Sequence, residues 1–109
     1  MNGWRWLALA IGLEVIGTLC LKLSAGLTRP GLFVVTLASY GLAFSMLALA
    51  LQELKLGLAY AVWAGVGTAL VALLGVALFD ERLTPAQLAA IGLIVLGVAG
   101  LYGLDGRPA

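Results

Sequence analysis

The sequence predicts an all-α membrane protein, with four transmembrane helices joined by short loops. Three observations carry that prediction. Of the 109 residues, 63% are hydrophobic and only 10% are charged, and the mean hydropathy is +1.14. A soluble domain needs a polar surface, and this composition does not supply one. The charges stand at Arg5, Glu14, Lys22, Arg29, Glu53, Lys55, Asp80, Glu81, Arg82, Asp105 and Arg107, and they cut the chain into apolar spans of membrane-crossing length. Helix breakers and polar residues fall between the spans. Residues 1–109 therefore read as one four-helix transmembrane domain. Short connections make sequential neighbours antiparallel, and an even number of spans puts both termini on one side.

The first span is expected over residues 4–23, with Trp4 and Trp6 at the interface where aromatic belts form. It is expected to be retained and not cleaved as a signal peptide: Glu14 interrupts the apolar stretch, and Lys22 follows where small residues would mark cleavage. Ser24 to Gly31, with Pro30 and two glycines, reads as a loop. The second span, residues 31–51, carries no charge. Gln52-Glu53-Leu54-Lys55 is a tight polar connection to a third span over residues 56–79. Asp80 to Pro85 forms the next loop, where Thr84 caps a fourth span over residues 85–102 with Pro85 in its first position. Residues 105–109 are expected to fray.

Composition also excludes several functions. A net charge of +1 argues against a nucleic-acid partner. There is no His, and Cys20 is the only Cys, so neither a disulfide framework nor a Cys/His metal site forms within one chain. Cys20 reads as a small packing residue. No nucleophile–base pair, phosphate loop or cofactor motif is found, so no enzyme activity and no cofactor are expected.

Glu14 is the residue around which the rest is organised. At a rise of ~1.5 Å per residue it lies roughly 13 Å from Arg5 and from Lys22, close to the middle of a hydrocarbon core ~30 Å thick. An ionisable group at that depth is costly and marks a functional site by default. The bland alternative is a structural acid, neutral and hydrogen-bonded between helices. Residues three and four apart share a helix face, so Glu14 shares its face with Leu7, Ala10, Ile11, Gly17, Thr18 and Leu21. Ala10, Gly17 and Thr18 are small and leave space around the carboxyl, and Thr18 adds a hydroxyl. The same small residues also permit close helix packing.

The third span places Tyr60, Trp63 and Gly67 on one face. A Trp several residues inside a span is unusual, because Trp prefers the interface. Its ring face attracts cations, and Tyr60 offers a hydroxyl; plain aromatic packing explains the pair equally well. Gly65 and Gly67 allow a bend or a close crossing. The second span adds Tyr40 and Phe44, with Ser45 beside them. The fourth span has Gly92, Gly97, Gly100 and Gly103 among Leu, Ile and Val, with no charge, amide or hydroxyl between Ala89 and Leu101. It can pack but cannot do chemistry, so it is assigned to association.

Orientation rests on Lys and Arg in the short loops. Arg5, Lys55 and Arg107 fall on one side; Lys22, Arg29 and Arg82 fall on the other. A balanced chain has no reason to choose, which predicts dual topology with copies paired antiparallel.

These residues carry a resemblance. Leu13-Glu14-Val15-Ile16-Gly17-Thr18 with Leu21-Lys22, and Gly57-Leu58-Ala59-Tyr60-Ala61-Val62-Trp63 with Gly65-Val66-Gly67, resemble the small multidrug resistance family of proton-coupled exporters in motif order, length and span number. The resemblance implies an antiparallel homodimer in a bacterial cytoplasmic (inner) membrane and leaves open a paralogue in place of one copy. It implies that the acid matching Glu14 binds protons and cationic substrate in competition. The aromatics matching Tyr60 and Trp63 would line the site, with those matching Tyr40 and Phe44 contributing. The guanidinium-exporting branch usually has Trp where this chain has Gly17; Gly is found in the promiscuous drug-exporting branch. Lys55, Ala64 and Ser45 depart from the pattern common among relatives, where Pro, a hydroxyl residue and, in some drug exporters, Trp are found.

The chemistry can be stated from the residues themselves. Desolvation favours the protonated acid, and a second carboxyl facing it favours that form further. In an antiparallel pair the two Glu14 residues would titrate together. Such a site holds either protons or an organic cation, and exclusion of one by the other with alternating access gives exchange. A flat lipophilic or quaternary ammonium cation suits it. A small hydrated metal ion does not, for want of oxygen ligands. Three alternatives stand beside this reading: a guanidinium exporter, a proton-carrying rotor subunit, and a non-transporting assembly subunit. The rotor reading expects an acid in each helical hairpin, and the third and fourth spans have none. The assembly reading leaves Glu14 and the inward aromatics without a purpose.

Overall fold

The computed structural model describes residues 2–104 and is helical nearly throughout. Its elements are α1 (Gly3–Leu23), α2 (Pro30–Ala50), α3 (Leu56–Phe79) and α4 (Pro85–Leu104). Each is long and apolar enough to cross a membrane. The tail expected to fray, residues 105–109 with Asp105 and Arg107, lies outside the described residues.

The helix ends follow local chemistry. Asn2 accepts the Arg5 backbone N–H at 2.9 Å through its side chain, so α1 starts at Gly3, one residue before the expected boundary. α2 starts at Pro30, whose missing N–H is no loss in a first turn. At α4, Thr84 Oγ1 accepts from the Gln87 N–H at 3.1 Å, and Gln87 Oε1 accepts from the Thr84 N–H at 2.9 Å. This reciprocal capping box satisfies two donors that the helix cannot.

The turn between α1 and α2 is built on Ser24, which is fully buried. Its hydroxyl donates to the Leu21 carbonyl at 2.6 Å and accepts from the Leu27 N–H at 3.1 Å. Its carbonyl accepts from the Thr28 N–H, the Arg29 N–H and the Thr28 hydroxyl. These bonds hold Ala25, Gly26 and Leu27 with φ of 52°, 72° and 72°. That left-handed run costs about 1–2 kcal/mol for each non-glycine residue and persists because Ser24 ties it at both ends.

The chain packs as two compact units, Met1–Ala59 and Tyr60–Ala109. In the first, α1 lies against α2. α1 buries Leu7, Ala10, Ile11, Val15 and Gly17; α2 buries Thr36, Ser39, Ala43 and Ala50. The start of α1 meets the α2–α3 turn, for a Cβ on Gly3 would stand 2.9 Å from Leu54 Cγ and 3.1 Å from Glu53 Cβ.

In the second unit α3 and α4 approach at Gly65. The place a side chain would take there is filled by Val98, with Ile94 Cγ2 at 3.3 Å. Past the end of α3, Asp80 turns left-handed at φ 54°. The Glu81 carboxylate folds back into the place a Gly75 side chain would take. No residue of α4 is buried, and a Cβ on Gly92 or Gly97 would meet nothing within 4 Å.

Candidate functional site

Glu14 comes from the middle of α1, and its face is the covered one. Leu7, Ala10, Ile11 and Gly17, at three- and four-residue spacings from it, are buried, whereas Gly12 and Ile16 on the other side are exposed. Glu14 itself is half-buried. Its carboxyl group is hydrogen-bonded to the Thr18 side chain one turn on. Its Oε2 is buried and has no hydrogen-bond partner among the described residues. A buried, unpartnered carboxyl oxygen costs about 1–3 kcal/mol, more when charged, and attracts any donor or cation that can reach it.

α2 supplies the other side of this half of the site. Thr18 Oγ1 lies 2.8 Å from Tyr40 Oη. The Tyr40 ring lies directly over Gly17: a Cβ there would stand 2.7 Å from Cε1 and 2.8 Å from Cδ1, with Ser39 Cβ at 3.2 Å. The space expected beside Glu14 at Gly17 is thus occupied by Tyr40 of the same chain. Thr36 Oγ1 shares its single hydrogen between the Gly17 carbonyl, 3.2 Å away across the helix pair, and the Leu32 carbonyl, 2.9 Å away within α2. Gly17 is where the two helices touch, and a hydroxyl clasp holds them there.

The remaining predicted residues divide by exposure. Ala10 is completely buried, so it adds no surface of its own to a cavity. Phe44 and Tyr60 are 61% and 64% exposed, large aromatic rings with most of their faces uncovered by this chain, whereas Trp63 is buried. Ser45 turns its hydroxyl to the Gly41 carbonyl within its own helix. Gly65 serves the close α3–α4 approach described above. Gly67 is buried as well.

Thr36 and Ser39 were not singled out in the sequence. A signal was present: Thr36, Ser39 and Tyr40 fall at i, i+3 and i+4, a stripe of hydroxyls on one face of an apolar span. Among the described residues no group of three or more His, Cys, Asp or Glu is placed to hold a metal ion.

A chain with four apolar spans and an acid halfway along the first of them, on a covered helix face, is a multi-pass membrane protein, and an ionisable group so placed marks a functional position in such proteins. Residues 2–94 match the family described as Small Multidrug Resistance protein, and the chain belongs to that family of transporters. A multidrug transporter of Pseudomonas aeruginosa is 43% identical over 98 residues, covering 90% of this chain and 89% of the relative. Quaternary ammonium compound-resistance protein QacF of Klebsiella aerogenes is 48% identical over 101 residues, covering 93% and 92%. A guanidinium exporter of Citrobacter freundii is 40% identical over 98 residues, covering 88% and 93%.

Proposed function

We propose that this protein is a proton-coupled antiporter that exports lipophilic aromatic or quaternary ammonium cations, with protons and substrate competing for Glu14. The observation that carries the reading is the Glu14 carboxyl, halfway along a membrane-spanning helix, with one oxygen buried and unpartnered among the described residues. Such a group is stabilised by a proton or by a cation, and not by both at once. Exchange follows if the site opens to one side at a time: a proton displaces the cation outside, and a cation displaces the proton inside.

The substrate class follows from the residue types proposed for the site. Ala10, Gly17 and Thr18 flank it on α1, Tyr40 and Phe44 are offered by α2, and Tyr60 and Trp63 by α3. Aromatic faces attract weakly hydrated organic cations. The identities to the multidrug and quaternary ammonium relatives, 43% and 48%, lean the same way. The second reading, guanidinium export, is favoured by one observation: the Tyr40 ring fills the place over Gly17, which narrows the room next to the acid.

The working form is an antiparallel homodimer in a bacterial inner membrane, all four helices of each copy acting as one unit. The balance of three Lys and Arg on each side supports insertion in both orientations. The largely exposed α4, with no buried residue and with Gly92 and Gly97 unobstructed, supports its use as the contact between copies. The test is transport into proteoliposomes driven by a pH gradient, with quaternary ammonium, aromatic and guanidinium cations in parallel. Uphill movement of the bulky cations is the expected result. Movement of guanidinium alone would select the second reading, and movement of none would return the chain to the assembly class.

A further inference from the structure

We infer that Tyr40 is a positioning residue for Glu14, acting through Thr18 by a hydroxyl chain of fixed direction, and not primarily a ring that stacks on substrate. The inference rests on the proposed role of Glu14 only in naming what the chain serves; the chain itself rests on the 2.8 Å contact of Thr18 with Tyr40 and on Thr18 lying one helical turn from Glu14.

A hydroxyl has one hydrogen to give, and an ionised carboxylate can only accept. Thr18 is hydrogen-bonded to the Glu14 carboxyl, so with Glu14 charged the single Thr18 hydrogen is committed to it. Thr18 Oγ1 is also 2.8 Å from Tyr40 Oη. The hydrogen in that second bond must then come from Tyr40. The direction is therefore Tyr40 to Thr18 to Glu14, and each donation polarises the next.

The chain is held in place by packing. The Tyr40 ring is seated on the bare Cα of buried Gly17, and Ser39 lies alongside. Thr36 fastens the same stretch of α2 to the Gly17 carbonyl. The ring is fixed by its edge, which leaves its hydroxyl aimed at Thr18. α2 carries no charged residue, so Tyr40 is the one titratable group it presents to Glu14; the other charges on α1, Arg5 and Lys22, stand near its two ends.

Protonation of Glu14 removes the constraint. A carboxylic acid can donate as well as accept, so Thr18 is no longer obliged to donate to it and the chain loses its fixed direction. A hydroxyl on α2 thereby senses whether the acid on α1 is charged. A stacking residue and a positioning residue differ under one substitution: Tyr40→Phe keeps the ring on Gly17 and removes only the donor.

The experiment uses the full chain in lipid nanodiscs. The Glu14 carboxyl bands are identified in infrared difference spectra by their loss in Glu14→Gln, and binding of benzyltrimethylammonium is measured across pH. Tyr40→Phe and Thr18→Val should each move the carboxylate band and weaken apparent cation binding at fixed pH by roughly 3- to 10-fold, the span of one hydrogen bond. Because the two hydroxyls act in series, Tyr40→Phe should add nothing in the Thr18→Val background. Thr18→Ser, which keeps the hydroxyl, should restore the band. The inference is overturned if Tyr40→Phe leaves band and binding unchanged, or if the two losses add. The infrared readout does not depend on transport. Undiminished export by Glu14→Gln, with the band still moved by Tyr40→Phe, would remove the proposed transport role and leave the hydroxyl chain standing.

Discussion

Gly17 offers the sharpest test of how α1 and α2 are held together. Gly17→Ala adds one methyl group 2.7 Å from Tyr40 Cε1, 2.8 Å from Cδ1 and 3.2 Å from Ser39 Cβ. Ordinary carbon contacts begin near ~3.5 Å, so the ring must retreat by about 0.8 Å or the helices must part. Neither movement is free, because Thr36 donates to the carbonyl of the same residue. Overpacking of this kind costs about 1–3 kcal/mol. A helix gains up to ~1 kcal/mol when an interior Gly becomes Ala, which would mask part of the loss. Gly12 removes the ambiguity: it lies in the same helix, and a Cβ there meets nothing within 4 Å. The difference between Gly17→Ala and Gly12→Ala isolates the clash and should be about 1–3 kcal/mol. The assay is equilibrium unfolding in mixed micelles, with Tyr40→Leu as the relieving partner. If Gly17→Ala is as stable as Gly12→Ala, or if Tyr40→Leu brings no relief in the Gly17→Ala background, the account of this crossing is wrong.

Four further outcomes are expected. Glu14→Gln should fold and abolish pH-driven export while keeping size; uphill export at the wild-type rate by folded protein would refute the role of the acid. Trp63→Ala should weaken aromatic cations by roughly 1–2 kcal/mol, the range for a desolvated cation–π contact, and unchanged affinity in a binding titration would assign Trp63 to packing alone. Gly65→Ala should destabilise by about 1–3 kcal/mol by driving into Val98, and Val98→Ala should recover most of that loss in the same unfolding assay. Reporter fusions at the C-terminus should be found on both sides of the membrane, and detection on a single side would end the dual-topology proposal.

The four helices were legible because membrane spans are read from apolar length and from breakers, both local properties. Thr84 and Pro85 announced the start of α4 through residue type and order alone. The covered face of α1 was also legible, since helical period places Leu7, Ala10, Ile11, Glu14 and Gly17 together. What could not be read was the partner on the other helix. Composition does not say which face of α2 meets α1, so Gly17 read as open space when the Tyr40 ring stands on it. The same lack hid Thr36, whose hydroxyl could as well have stayed within its own helix; it does both. Trp63 and Tyr60 share a predicted face yet differ sharply in exposure, because a face is broad and packing divides it. Side-chain pairing across helices is a tertiary property, and one sequence carries it only as hints such as the hydroxyl stripe at 36, 39 and 40.

The tight turn at Ser24 bears on how the protein is made. A ribosome delivers the N-terminal segments first, and α1 with α2 is complete once Ala50 has emerged. The contacts that join this pair all lie within it: Ser24 closes the turn, Thr36 meets Gly17, and Tyr40 reaches Thr18 beside the acid. A lone first helix would bring Glu14 to the bilayer with Thr18 as its sole hydroxyl support, at a cost of ~2.5–3.5 kcal/mol on insertion scales for a charged residue at the helix centre. A hairpin brings it in already supported from both helices. A truncated chain ending just after Ala50 should accordingly be retained in the membrane as a helical pair, without α3 and α4.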